Sequence, residues 1–250
     1  MGGGPMVRNP IVVALDVDSA EEARTLVTRL GDRISFYKVG MELYAAAGMP
    51  FVRELLDAGK DVFLDMKFYD IPETVKRAVA QVAATGVRFL TVHGSGPAMR
   101  AAVEGKGGSK LKLLAVTVLT SFDQADLLDM GYPCAVADLV ALRARKAREA
   151  GMDGMVASAL DVAAVRAIAG PDAILVTPGV RSPGGAAADQ KRVATPAEAL
   201  RNGADYLVMG RQITRAPDPA AEAVRVLEEI GVGAGRGTRR NCGSGPGARE

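Results

Sequence analysis

Only one histidine, His93, and two cysteines, Cys134 and Cys242, occur in the 250 residues. A lone imidazole with no Glu-x-x-His spacing does not support a histidine-based metal site. The cysteines stand far apart, and the second lies in a glycine-rich tail, so the sequence offers no disulfide framework or thiolate cluster. A reducing cytoplasm is the expected compartment. Charge of one sign is also scarce. Lys and Arg number 31 against 29 Asp and Glu, and the net charge of +2 gives no general attraction to nucleic acid or to an anionic membrane. No apolar run is long enough to span a bilayer, and the N-terminus lacks the basic, apolar and small-residue succession of a secretory signal. No Gly-x-Gly-x-x-Gly follows the first apolar run, which ends instead in Leu15-Asp16-Val17-Asp18; a dinucleotide-binding fold loses ground accordingly.

What the chain does contain is a repeat of short apolar runs separated by helical periodicity. Candidate strands cover Ile11 to Asp16, Ser35 to Val39, Val62 to Met66, Phe89 to His93, Leu113 to Leu119, Gly154 to Ala157, Ala173 to Thr177 and Tyr206 to Met209. Amphipathic stretches lie between them, among them Ala20 to Leu30, Glu73 to Thr85, Ala135 to Ala150 and Thr195 to Asn202. Gly31, Gly59, Gly86, Gly151 and Gly203 fall where C-terminal caps belong. Eight alternations in this length predict an α/β protein built as a single (β/α)8 barrel, with a doubly wound sheet as the alternative. The expected organisation is a short extension over residues 1–10, a barrel over 11–230 and a Gly- and Arg-rich disordered tail over 231–250.

In such a barrel the chemistry gathers at the C-terminal ends of the strands. Residues Phe63 to Val75 place Asp65 and Lys67 at a strand end, two apart and so on one side, with Asp70 just before a helix opened by Ile71-Pro72-Glu73-Thr74. An isolated Asp-x-Lys reads most simply as a surface ion pair. Here Asp16 ends the first strand and Lys38 lies in the second, so two aspartates and two lysines share three neighbouring strands. Alternating charges of this kind offset the cost of burying one another, which points to a functional site. His93 closes the fourth strand, where a structural or supporting role is favoured over a general base. Thr120 and Ser121 close the fifth.

At the far end, Thr177-Pro178-Gly179-Val180-Arg181 runs into a loop of small residues, Ser182 to Asp189, that reaches Gln190. The eighth strand ends in Met209-Gly210-Arg211. Loops after strands seven and eight of a barrel often hold a phosphate, and an arginine there can bind two oxygens. The loop reads as a mobile lid that closes with Gln190 on the ligand.

These residues together resemble the orotidine 5′-phosphate decarboxylase family, over about Ile11 to Ile230. The most specific element is Asp65-x-Lys67-x-x-Asp70-Ile71-Pro72-x-Thr74. It is supported by Leu15-Asp16, Lys38-Val39-Gly40, Thr117-Val118-Leu119-Thr120-Ser121, Thr177 to Arg181, Asp189-Gln190 and Gly210-Arg211. The resemblance implies a cofactor-free carboxy-lyase that converts orotidine 5′-phosphate to UMP and CO2, with no metal. Lys67 is then the proton donor, Asp65 faces the substrate carboxylate, and Asp16 and Lys38 hold the ribose and orient Lys67. Thr120 or Ser121 holds the base, Arg181, Gln190, Gly210 and Arg211 hold the phosphate, and Pro178 belongs to the substrate-binding set. The resemblance further implies a homodimer in which Asp70, Ile71 and Thr74 cross the interface, with no nucleic-acid or membrane partner. A magnesium-dependent keto-sugar-phosphate lyase of the same suprafamily is the nearest rival, although such relatives usually carry an acid where Lys38 stands. A sugar-phosphate isomerase or epimerase is another. Gln212 departs from the family pattern, where proline is common, and Ala157-Ser158-Ala159-Leu160-Asp161 lacks the frequent cysteine and glutamate.

Overall fold

Short, almost wholly buried strands alternate with helices along the chain, and the strands pair in chain order until the last meets the first. The computed structural model describes residues 9–183 and 194–232. Its parallel strands are β1 (Ile11–Ala14), β2 (Phe36–Gly40), β3 (Asp61–Phe68), β4 (Phe89–His93), β5 (Lys112–Val116), β6 (Gly154–Val156), β7 (Ile174–Pro178) and β8 (Tyr206–Met209), closed into one barrel. The helices are α1 (Ala20–Leu30), α2 (Met41–Asp57), α3 (Pro72–Ala83), α4 (Gly96–Lys106), α5 (Gln124–Asp129), α6 (Val136–Ala150), α7 (Val162–Ala169), α8 (Pro196–Arg201), α9 (Arg211–Thr214) and α10 (Pro219–Glu229). This is the expected (β/α)8 barrel.

Local sequence explains the element boundaries. Ser19 caps α1 by accepting from the Glu22 backbone N–H, and Thr195 with Glu198 forms a reciprocal capping box at α8. All five glycines expected at helix ends adopt positive φ, from 56° to 106°. The barrel already engages residue 9, whose side-chain carbonyl accepts from the Ile11 N–H. No helix among the described residues is long and apolar enough to cross a membrane.

Two apolar layers result from strand alternation. Outward-facing residues such as Val13, Tyr37, Val39, Leu64 and Leu90 pack against the helices. Inward-facing Val12, Phe36, Phe63, Phe89, Leu114, Val176 and Tyr206 fill the lower barrel. There Phe36, Phe89 and Tyr206 meet edge to face at centroid separations of 5.0 to 5.7 Å. Arg88 caps this aromatic floor, its guanidinium 5.1 Å from the Phe36 ring centroid, and it pairs with Asp61 and donates to the Tyr206 hydroxyl.

Acids just ahead of strands fasten the same end. Asp153 precedes β6 and accepts from the Leu113 N–H of β5 at 2.9 Å and from Lys106 at 2.7 Å. Asp205 precedes β8 and accepts from the Leu175 N–H of β7 and from Arg166, both at 2.7 Å. These charges are used up in holding strands together, which leaves the opposite end for chemistry.

Gly154 lies so close to β7 that an added Cβ would sit 2.0 Å from the Ile174 carbonyl oxygen. Gly154→Ala should therefore lower stability by about 1–3 kcal/mol or more. Gly108→Ala, where a Cβ meets nothing within 4 Å, should be nearly neutral, and urea unfolding midpoints of the two variants test the contrast.

Candidate active site

The alternation that fills the lower barrel with aromatics puts charge at its mouth. On β2 the inward series runs Phe36, Lys38, Gly40, and on β3 it runs Phe63, Asp65. Asp16 lies two residues beyond β1, which ends earlier than its sequence suggests. Lys38 Nζ donates to Asp16 Oδ1 at 2.8 Å and stands 3.7 Å from Asp65 Oδ2, while Lys67 Nζ donates to Asp65 Oδ1 at 2.9 Å. The four side chains thus form one chain of alternating charge, Asp16, Lys38, Asp65, Lys67. Its centre is the less accessible part: side-chain exposure is 11% at Lys38 and 16% at Asp65, against 54% at Asp16. Gly40 makes room for it, since a Cβ there would stand 2.9 Å from Lys38 Nζ and 3.3 Å from Asp16 Oδ1.

Asp65 and Lys67 meet as the sequence predicts, but simple strand alternation does not account for it. The β3–β4 register shifts between Leu64 and Phe68, and Lys67 has φ of +50°, the only positive value at a non-glycine among the described residues. A left-handed lysine is strained by about 1–3 kcal/mol and persists only where its surroundings hold it. Thr91 of β4 supplies that hold. Its hydroxyl accepts from the Lys67 backbone N–H and donates to Asp65 Oδ1, both at 2.9 Å, and the residue is fully buried. The sequence reading missed Thr91; the only signal was a polar residue at an inward position of an otherwise apolar strand.

Other expected residues lie apart from this network. Asp70 is exposed, and its carboxylate accepts from the neighbouring Ile71 N–H at 2.7 Å. Ile71 and Thr74 are exposed beside it. Because β5 stops at Val116, Thr120 and Ser121 sit in the turn that follows rather than on the strand. Pro178 ends β7, and Arg181 follows it with its backbone N–H donating to the Ala194 carbonyl at 3.0 Å. Gly210 links β8 to α9, which Arg211 opens. Gln190 and most of the expected lid lie outside the described residues, as does the tail beyond residue 232.

His93 is half-buried at the end of β4, with its ring 4.7 Å from that of Tyr69. Arg143 of α6, also missed in the sequence, packs near it against Gly94, donates to the Thr117 carbonyl and stacks on Tyr132. Burial, and secondarily the Arg143 charge, hold the imidazole below its ordinary value. Above that value both folded and unfolded chains carry a neutral ring. As pH falls through it, the unfolded chain takes up a proton that the folded chain still refuses, and stability is lost until the depressed native value is passed. Proton NMR of the single imidazole should place its midpoint below 6.5. In His93→Gln the fall in Tm across this range should shrink; a native midpoint at or above 6.5 would contradict the assignment.

The family model described as orotidine 5′-phosphate decarboxylase / HUMPS matches residues 9–226. A protein of Nitrobacter winogradskyi named orotidine 5′-phosphate decarboxylase is 54% identical over 225 residues, covering 90% of this chain and 94% of that one. One of Rhodopseudomonas palustris with the same name is 52% identical over 227 residues, with coverage of 91% and 96%. The crystal structure of orotidine 5′-phosphate decarboxylase from Lactobacillus acidophilus superimposes with a TM-score of 0.78 at 36% identity, over 89% of this chain and 99% of that one. With a barrel of the same build and a match over nearly its whole length, the chain belongs to the orotidine 5′-phosphate decarboxylase / HUMPS family.

Proposed function

We propose that the chain converts orotidine 5′-phosphate to UMP and CO2 without a cofactor, using Lys67 as proton donor. The observation that carries this reading is the Asp65 carboxylate set between the Lys67 and Lys38 ammonium groups at the barrel mouth. Kinship supports the decarboxylase over the sugar-phosphate lyase, because relatives 54% and 52% identical bear its name. The charge pattern supports it too. Two ammonium groups interleaved with Asp16 and Asp65 already neutralise the carboxylates that a magnesium ion would need.

In the reaction the bond from C6 to the carboxylate breaks, CO2 departs and the electron pair stays on C6. Lys67 stabilises that charge and then transfers its proton to C6, after which its neutral amine regains a proton from water. Asp65 faces the substrate carboxylate, and their repulsion vanishes as CO2 leaves. The strained backbone and the Thr91 contact hold Lys67 in place beforehand, so little reorganisation is needed. Asp16 and Lys38 hold the ribose hydroxyls, and Thr120 or Ser121 holds the base. Pro178 lines the substrate, and Arg181, Gln190, Gly210 and Arg211 hold the phosphate, whose remote binding energy contributes to catalysis at C6.

The working unit is a homodimer in which Asp70, Ile71 and Thr74 complete the partner's site. Supporting this, the exposed Asp70 carboxylate accepts from the Ile71 N–H, and Tyr69 and Ile71 beside it are 66% and 67% exposed. Apolar surface of this kind at a site mouth favours a protein partner. A cytoplasmic location belongs to the same proposal and rests on cysteine usage.

Chelator-treated protein mixed with orotidine 5′-phosphate should give the ultraviolet absorbance change of UMP formation. Turnover that required added magnesium would overturn the cofactor-free reading. Lys67→Ala should cost about 10⁴-fold or more in kcat while the barrel stays folded, with a lowered Tm because Asp65 loses one of its two ammonium partners. Neither Lys67→Ala nor Asp70→Ala should be active alone, yet their co-expression should restore about a quarter of wild-type sites, since one site of each mixed dimer is intact. No recovery in demonstrably mixed dimers would remove the shared site.

A further inference from the structure

Gln212, which the proposed chemistry leaves without a task, makes three side-chain hydrogen bonds across the phosphate end of the barrel. Its Oε1 accepts from the Ser182 backbone N–H at 3.1 Å. Its Nε2 donates to the Ser182 hydroxyl at 2.9 Å and to Glu222 Oε1 at 2.8 Å. The orientation of the carboxamide follows from its partners, because a backbone N–H can only donate and a carboxylate only accept. Glu222 is itself held by Arg225 through contacts of 2.8 and 2.6 Å, so the carboxamide is braced from α10. Ser182 is 4% exposed, which makes the contact costly to break.

Each end of this clamp is the immediate neighbour of an arginine. Ser182 follows Arg181 on the loop after β7, and Gln212 follows Arg211 on α9 after β8. Among the described residues no backbone ladder joins the two segments past the β7–β8 pairs, which end at Pro178 and Val208. We propose that Gln212 is a positioning residue that fixes the spacing of Arg181 and Arg211 for a phosphate dianion by locking the strand-seven loop onto α9. The role rests on the function proposed above and adds to it the element that sets phosphate specificity. Bidentate recognition depends on the relative placement of planar guanidinium groups, so losing the clamp weakens phosphate use without touching the reacting carbon.

The test compares orotidine 5′-phosphate with the phosphate-free nucleoside orotidine. Gln212→Leu keeps the bulk of the side chain and removes all three hydrogen bonds. Its kcat/KM for the nucleotide should fall about 10- to 100-fold, while that for orotidine changes less than about twofold. Ser182→Ala deletes only the hydroxyl arm and should give a smaller loss in the same sense. Arg211→Ala provides the reference for a lost phosphate contact. Gln212→Glu keeps the acceptor but sets a carboxylate against Glu222, and should resemble Gln212→Leu. Equal losses on both substrates would mean a purely structural role, and no loss on the nucleotide would mean no role; either overturns the proposal. Absence of turnover by the unaltered chain would overturn the decarboxylase reading as well, and is measured separately.

Discussion

A carboxylate cannot be taken out of water beside an apolar barrel core unless its charge is met, and Asp65 shows what meeting it demands. Two ammonium groups and the Thr91 hydroxyl surround it. Removing one partner of such a buried pair typically costs about 3–5 kcal/mol, so the group stands or falls together. Other features of the mouth are conditions of that arrangement. Gly40 has no side chain because the Lys38–Asp16 pair needs its space, and Lys67 takes a strained backbone to turn its ammonium toward Asp65. The structural cost and the use proposed for Lys67 coincide, since an ammonium fixed against an acid would also be fixed against a developing carbanion.

Strands and charges were the legible part of the sequence. All eight β-strands appear where apolar runs suggested, because buried parallel strands need little besides apolar bulk. The four charged residues were legible for the opposite reason, since charge at buried strand ends calls for an explanation. Less could be read of what depends on backbone geometry. Neither the register shift in β3 nor the left-handed Lys67 has a signature in residue type, and the ends of β1 and β5 fell short of their apolar runs. Thr91 and Arg143 were missed because a threonine in a strand and an arginine on a helix are ordinary until their partners, distant in sequence, are known.

The two ends of the site are built differently. Lys38, Asp65 and Lys67 project from neighbouring strands of a closed barrel, where hydrogen bonds on both sides limit displacement, and Asp16 lies just beyond β1. The proposed phosphate end instead uses the loops after β7 and β8; the Val180–Ala194 bridge closes the first on itself, and the Gln212 carboxamide ties it to the second. A carbon to be protonated tolerates little misplacement, and the first solution suits it. A dianion bound through long side chains would tolerate more, which the second arrangement allows.

The aromatic floor beneath the charges gives the barrel a direction. Phe36, Phe63 and Phe89 are at most 3% exposed, and Arg88 closes the space below them with its guanidinium over the rings. The interior is therefore a blind pit, with a single opening for every molecule that enters or leaves. Substrate, CO2 and UMP all share one doorway. A small, uncharged gas needs less of that doorway than a nucleotide does. Entry and exit therefore compete for the same passage.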